Sequence, residues 1–158
     1  MDTDMKRILN FVAVMMIMIG ISAHAQQPDK PVDDPGKTFK FLTTGFSVME
    51  REPNGKWGKW SDLKPASIVV TLDTKKGRIL VYSQEIQLFD ILNYEKIEET
   101  DTDLIYPFTC TDDDGRPFTI SFITRKKQGN RKQLYINQQD VIVMYNIENF
   151  PDKNIKVD

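Results

Sequence analysis

The chain has 158 residues, a formal net charge of −2, one cysteine and one histidine. That is the length of one ordinary domain, and so even a charge balance gives no pull toward nucleic acid or an anionic membrane. A single cysteine, Cys110, excludes an intramolecular disulfide and a Cys-rich metal site.

The first segment reads as a secretory signal peptide, residues 1–25. Lys6 and Arg7 form a positive start, Ile8 to Ile21 carries no charge, and Ala23-His24-Ala25 fits the small-x-small cleavage pattern. The apolar run falls short of the roughly 20 residues a membrane span needs. Initiation at Met5 in place of Met1 would give a cleaner signal. Gln26, not Cys, follows the cut, so no lipid attachment is expected. The expected location is the periplasm or the outside of the cell, with no membrane anchor after cleavage. His24 is the only histidine and leaves with the signal. The mature chain then has no Ser-His or Cys-His nucleophile and no His-containing zinc site.

Residues 26–37 read as a flexible leader, with Pro28, Pro31, Pro35 and Gly36 among aspartates. A single β domain is expected over 38–150, followed by a polar tail, 151–158. Within the domain the dominant period is two. A strand flips its side chains at every step, so such alternation sets one face on a core. From Thr38 to Arg51 the parity changes: Phe39 and Phe41 are odd, Phe46 and Val48 even. A bulge at Thr44-Gly45, or a break into two elements, would explain this. Pro53-Asn54-Gly55 then reads as a hairpin turn, Asn-Gly supplying positive φ angles.

Ile68, Val70 and Leu72 alternate with Val69, Thr71 and Asp73, and Lys75-Lys76-Gly77 ends that run. Ile86, Leu88 and Leu92 share a parity and are expected to face the core. Thr100 to Asp103, Asp112 to Arg116 and Lys127 to Arg131 read as turns. Phe118, Ile120 and Phe122 form another apolar face. Residues 138–147 fit a strand through Val141, Val143, Tyr145 and Ile147. A short helix is the alternative, because 141, 144 and 145 also fit helical spacing. Turns every ten or so residues indicate short antiparallel strands.

Four clusters merit a chemical reading. Asp112-Asp113-Asp114-Gly115 resembles a calcium loop, but with Gly115 at position six an EF-hand would have Cys110 at one and Ser121 at twelve, and both fail. The favoured reading is a turn whose Asp side chains bond their own backbone. Glu98, Glu99, Asp101 and Asp103 form a second acidic loop, which would add oxygen ligands if it lay beside the first. Arg125, Lys126, Lys127, Arg131 and Lys132 surround Gln128-Gly129-Asn130. That basic tip could grip phosphate, but only Tyr135 lies near to stack a base, and charge at a hairpin end also protects strand edges. In Trp57-Gly58-Lys59-Trp60 the two rings, three residues apart, should point to opposite faces, one buried and one exposed or at a rim. Core packing is the preferred role for both. Cys110, on the parity of Tyr106 and Phe108, reads as a small buried hydrophobe.

The segments Asn54-Gly55-Lys56-Trp57, Trp60-Ser61, Ile79–Ser83 (ILVYS), Asp112–Gly115, Gln133–Ile136 and Val143–Ile147 carry a resemblance. The stretch from Thr44 to Ile147 is similar to small secreted β-proteins of uncharacterised function from Bacteroides-type Gram-negative bacteria. The resemblance implies a small extracytoplasmic β-domain and no activity.

The expected fold is therefore all-β: an antiparallel meander of about eight strands closed as a small calycin- or lipocalin-like barrel, with a two-sheet sandwich as alternative. No catalytic, cofactor-binding or metal-binding residue is assigned, and no cofactor. The leading functional expectation is a non-enzymatic binding module for a small apolar or mixed ligand. An interaction or structural subunit of the envelope, with an apolar patch near Trp60 or Met144, stands second. Chemistry by carboxylates alone stands third.

Overall fold

Every regular element among the described residues, 36–151 of this computed structural model, is a β-strand. In chain order they are β1 (Thr38–Glu50), β2 (Lys64–Pro65), β3 (Val69–Asp73), β4 (Arg78–Tyr82), β5 (Ile86–Tyr94), β6 (Glu98–Glu99), β7 (Asp103–Thr111), β8 (Pro117–Arg125), β9 (Arg131–Gln138) and β10 (Val141–Asn149). The expected signal peptide, and almost all of the leader and polar tail, lie outside the described residues.

Eight strands form a ring, β1-β3-β4-β5-β7-β8-β9-β10, each antiparallel to the next, and β10 closes it by pairing with β1 over Phe41 to Glu50. Closure leaves the ring no unpaired edge. The product is an up-and-down barrel of the small lipocalin-like kind, not a sandwich. The short strands continue two of its members. β2 and β3 both run along β1, and β5 and β6 both run along β7. Each pair is one long strand with an irregular middle.

Residue chemistry explains the irregularities. The register slips between Thr43 and Gly45, which gives the expected parity change. Thr43 fastens the slip: its backbone and hydroxyl both bond the facing segment, with Oγ1 donating to the Ala66 carbonyl and accepting from the Ile68 N–H. At Gly45 a Cβ would lie 3.0 Å from the Lys64 carbonyl oxygen, so this close approach of β2 needs glycine. In the 53–55 turn only Gly55 takes a positive φ, and Asn54 instead accepts a hydrogen bond from the Lys56 N–H. The paired positive φ angles fall at Gly129 and Asn130, in the tight turn between β8 and β9.

Residues 141–149 are strand, which resolves the helix alternative: Tyr145 and Ile147 are buried in β10 and Val143 packs against the core. The expectation for β5 is overturned. Phe89 and Ile91 face inward, opposite Ile79 and Cys110. Ile86 and Leu92 stand 63% and 59% exposed. Both faces of this strand are apolar, so period two alone does not say which one meets the core. A second slip between Ile91 and Asn93 then returns Tyr94 to the interior.

Val70, Ile79, Val81, Phe108, Cys110, Ile120 and Leu134 are completely buried. Phe41, Phe122, Phe108 and Tyr94 form a chain of aromatic contacts with centroids 5.3 to 6.0 Å apart. An eight-stranded ring is just wide enough to fill with side chains or to hold one small ligand. This one does some of each.

Candidate ligand-binding site

Alternate strands run in opposite directions, so the turns collect at two ends. One end holds the turns at 51–57, 83–85, 112–116 and 139–140. The other holds those at 74–77, 100–102 and 126–130, together with the start of β1 and the finish of β10. At this second end the filling stops short and leaves a cavity of about 310 Å³, at the lower limit for small-ligand pockets.

The wall is built by register. Leu104, Thr124, Lys132 and Ile147 form one row across β7, β8, β9 and β10, and Tyr106 and Phe122 pair in the row below. Phe39, Phe41 and Leu72 close the opposite wall from β1 and β3, and Phe108 forms part of the lining. The polar lining residues are Thr124, Lys132 and Gln133, and no carboxylate is among them. Lys132 shares the parity of the buried Leu134 and Ile136, so it sits on the inward face of β9. Its Nζ donates to Asn149 Oδ1 at 2.7 Å.

The two acidic loops do not combine. They lie at opposite ends of β7, whose nine residues span about 30 Å. Asp112 works as a turn residue: Oδ1 accepts from the Asp114 and Arg116 N–H groups, and Oδ2 accepts from Arg116 Nε at 2.8 Å. Partial desolvation pushes its carboxyl up, but the Arg116 N–H and guanidinium outweigh that and hold it below the ordinary carboxylate value. The second loop instead meets the basic hairpin. Arg125 pairs with Asp103 at 3.0 Å and Lys126 with Glu99. The guanidinium hydrogen bond, then that of Thr102, lowers the Asp103 carboxyl. Two cations of the supposed phosphate grip are thereby neutralised within the chain.

Neither tryptophan is in the core, contrary to expectation. Trp57 and Trp60 are 38% and 42% exposed. Trp57 lies under the Arg51 guanidinium, 4.5 Å from its carbon. Trp60 stands edge-on to Tyr135 on the outer wall. The chain from Gly58 to Ala66 runs along the edge of β1 that β2 and β3 also share, held by Gly58 N–H to the Glu50 carbonyl and Ser61 N–H to the Val48 carbonyl. An irregular path of this kind does not enforce the opposite-face rule of a strand. Tyr135 pairs with Met144, so the structure does bring Trp60, Tyr135 and Met144 to one outer surface. Cys110 is fully buried, and burial followed by the Asp90 carboxylate pushes its thiol up to about 12.

The sequence reading missed the pocket wall. One signal was available: Lys132 shares the parity of Leu134 and Ile136. No family model matches this chain, and no curated protein or solved structure matches it.

Proposed function

We propose that the protein is an extracytoplasmic binding module that holds a small, largely apolar ligand in the cavity at the β1-start end of the barrel. The observation that carries this reading is the incomplete filling of an otherwise packed interior. Apolar side chains facing a void forgo dispersion contacts, and an apolar guest restores them. Native mass spectrometry of protein purified from its own host tests the proposal. A defined adduct, lost in the pocket-filling variant Leu104→Trp, is expected. A featureless mass in the parent protein would overturn it.

A second reading has its own support on the outside. Leu80 pairs with Leu88 and Tyr82 with Ile86 across β4 and β5, and Tyr82 and Ile86 are exposed. A contiguous apolar surface marks a contact site when it is large enough. On this reading the protein is an interaction subunit of the envelope, and crosslinking in intact cells should capture a partner through this face. A monodisperse monomer that crosslinks to nothing would remove it.

A further inference from the structure

This inference rests on the pocket reading above and specifies the chemistry of the ligand. Three observations converge on Lys132. First, it lies in the last inward row, between Thr124 and Ile147, directly above the apolar row of Tyr106, Phe122, Leu134 and Tyr145. Its ammonium meets Asn149 in an exposed contact, so the stem borders the apolar cavity while the charge stands at its mouth. Second, its recorded partner is the neutral Asn149, and among the described residues it makes no ion pair. Arg51, Arg116, Arg125 and Lys126 each have a carboxylate. Third, Lys132 and Ile147 line two adjoining spaces, the apolar cavity and a polar groove on the outer wall with Asn130, Arg131 and Asn146. The groove also has a carboxylate, Glu148, which pairs with Leu42 and lies on the opposite parity from Ile147.

An apolar space, a cation without a counter-ion and a hydrogen-bonding groove thus follow one another. The geometry points to an amphipathic monoanion as the ligand, its hydrocarbon chain in the cavity and its carboxylate on Lys132 beside Asn149. Lys132 is the group that selects acids over neutral molecules of the same shape.

Decanoate and decanol are suitable probes, because they share a chain and differ in the headgroup. Isothermal titration of the parent protein should show decanoate binding about tenfold or more tightly than decanol, as hydrogen bonds to charged groups allow. Added salt should narrow the gap. Lys132→Met should remove the preference, the decanoate affinity falling about tenfold toward that of decanol, and Lys132→Gln should behave alike. Circular dichroism would confirm that both variants fold. Leu104→Trp should abolish binding of both probes. Equal binding of the two probes by the parent, or a preference that survives Lys132→Met, would overturn the anion assignment and leave the pocket standing. Binding of neither probe would overturn the pocket reading as well.

Discussion

The two halves of the barrel interior are made from the same residue types but packed differently. Around Val81, Cys110, Ile120 and Leu134 no side-chain surface is left to solvent. Around Leu104, Tyr106 and Phe122 the wall is equally aromatic and aliphatic, yet it encloses a cavity. The difference lies in what closes each end. On the packed side Phe89 and Phe118 meet edge to face at 4.9 Å, and Phe46 packs against Tyr145. On the open side the last inward row contains Thr124 and Lys132, which cannot plug a core. The packed half makes the barrel stable, and the open half keeps the space that the proposed ligand would fill.

The largest test of this contrast is thermodynamic. Leu134→Ala removes a completely buried side chain and should cost about 2–5 kcal/mol in urea unfolding. Leu104 is only partly buried, beside a space already open at the barrel end, so Leu104→Ala should cost under about 1 kcal/mol. Equal losses would mean that the open half is packed as tightly as the closed half.

A chemical test sharpens the same contrast. Cys110 sits in the packed half with its thiol pushed up to about 12, and thiolate is the reactive form. An aromatic disulfide reagent at mildly alkaline pH should leave the native thiol intact and modify it only after unfolding. A cysteine introduced by Leu104→Cys should react in the folded protein. If Cys110 reacts as fast as the introduced thiol, the packed half is open to solvent.

The smallest expected effect concerns the rim. The Asp103 carboxyl is lowered chiefly by the Arg125 hydrogen bond, so its contribution to stability is present above the unfolded value of about 3.9. It is lost as pH falls through the lower folded value. Asp103→Asn should therefore lower Tm slightly at neutral pH, and the difference from the parent should vanish in strong acid. A difference that persists in acid would mean that the residue acts by packing and not by charge.

Much of this architecture was legible from alternation. Phe118, Ile120 and Phe122 face inward as expected, and the bulge at Gly45 showed as a parity change. β5 was misread because Ile86-Gln87-Leu88 and Phe89-Asp90-Ile91 alternate equally well on opposite parities, and only pairing with β4 and β7 decides between them. The tryptophans were misread because 58–66 is an irregular path whose direction is set by bonds to β1. The cavity was invisible for a different reason. Its wall joins residues from β1, β3, β7, β8, β9 and β10, and the order in which a ring closes is a tertiary fact. Lys132 left a local trace in its parity, but a cation on an inward face has meaning only once the row around it is known.

Backbone amide NMR during titration with an apolar acid tests the central claim most directly. If the interior is closed at one half and receptive at the other, shifts should concentrate at Leu72, Leu104, Phe122, Lys132 and Ile147. Val81, Cys110 and Ile120 should stay nearly still. Saturable shifts confined to the outer face around Tyr82 and Ile86, or no saturable shifts at all, would contradict it.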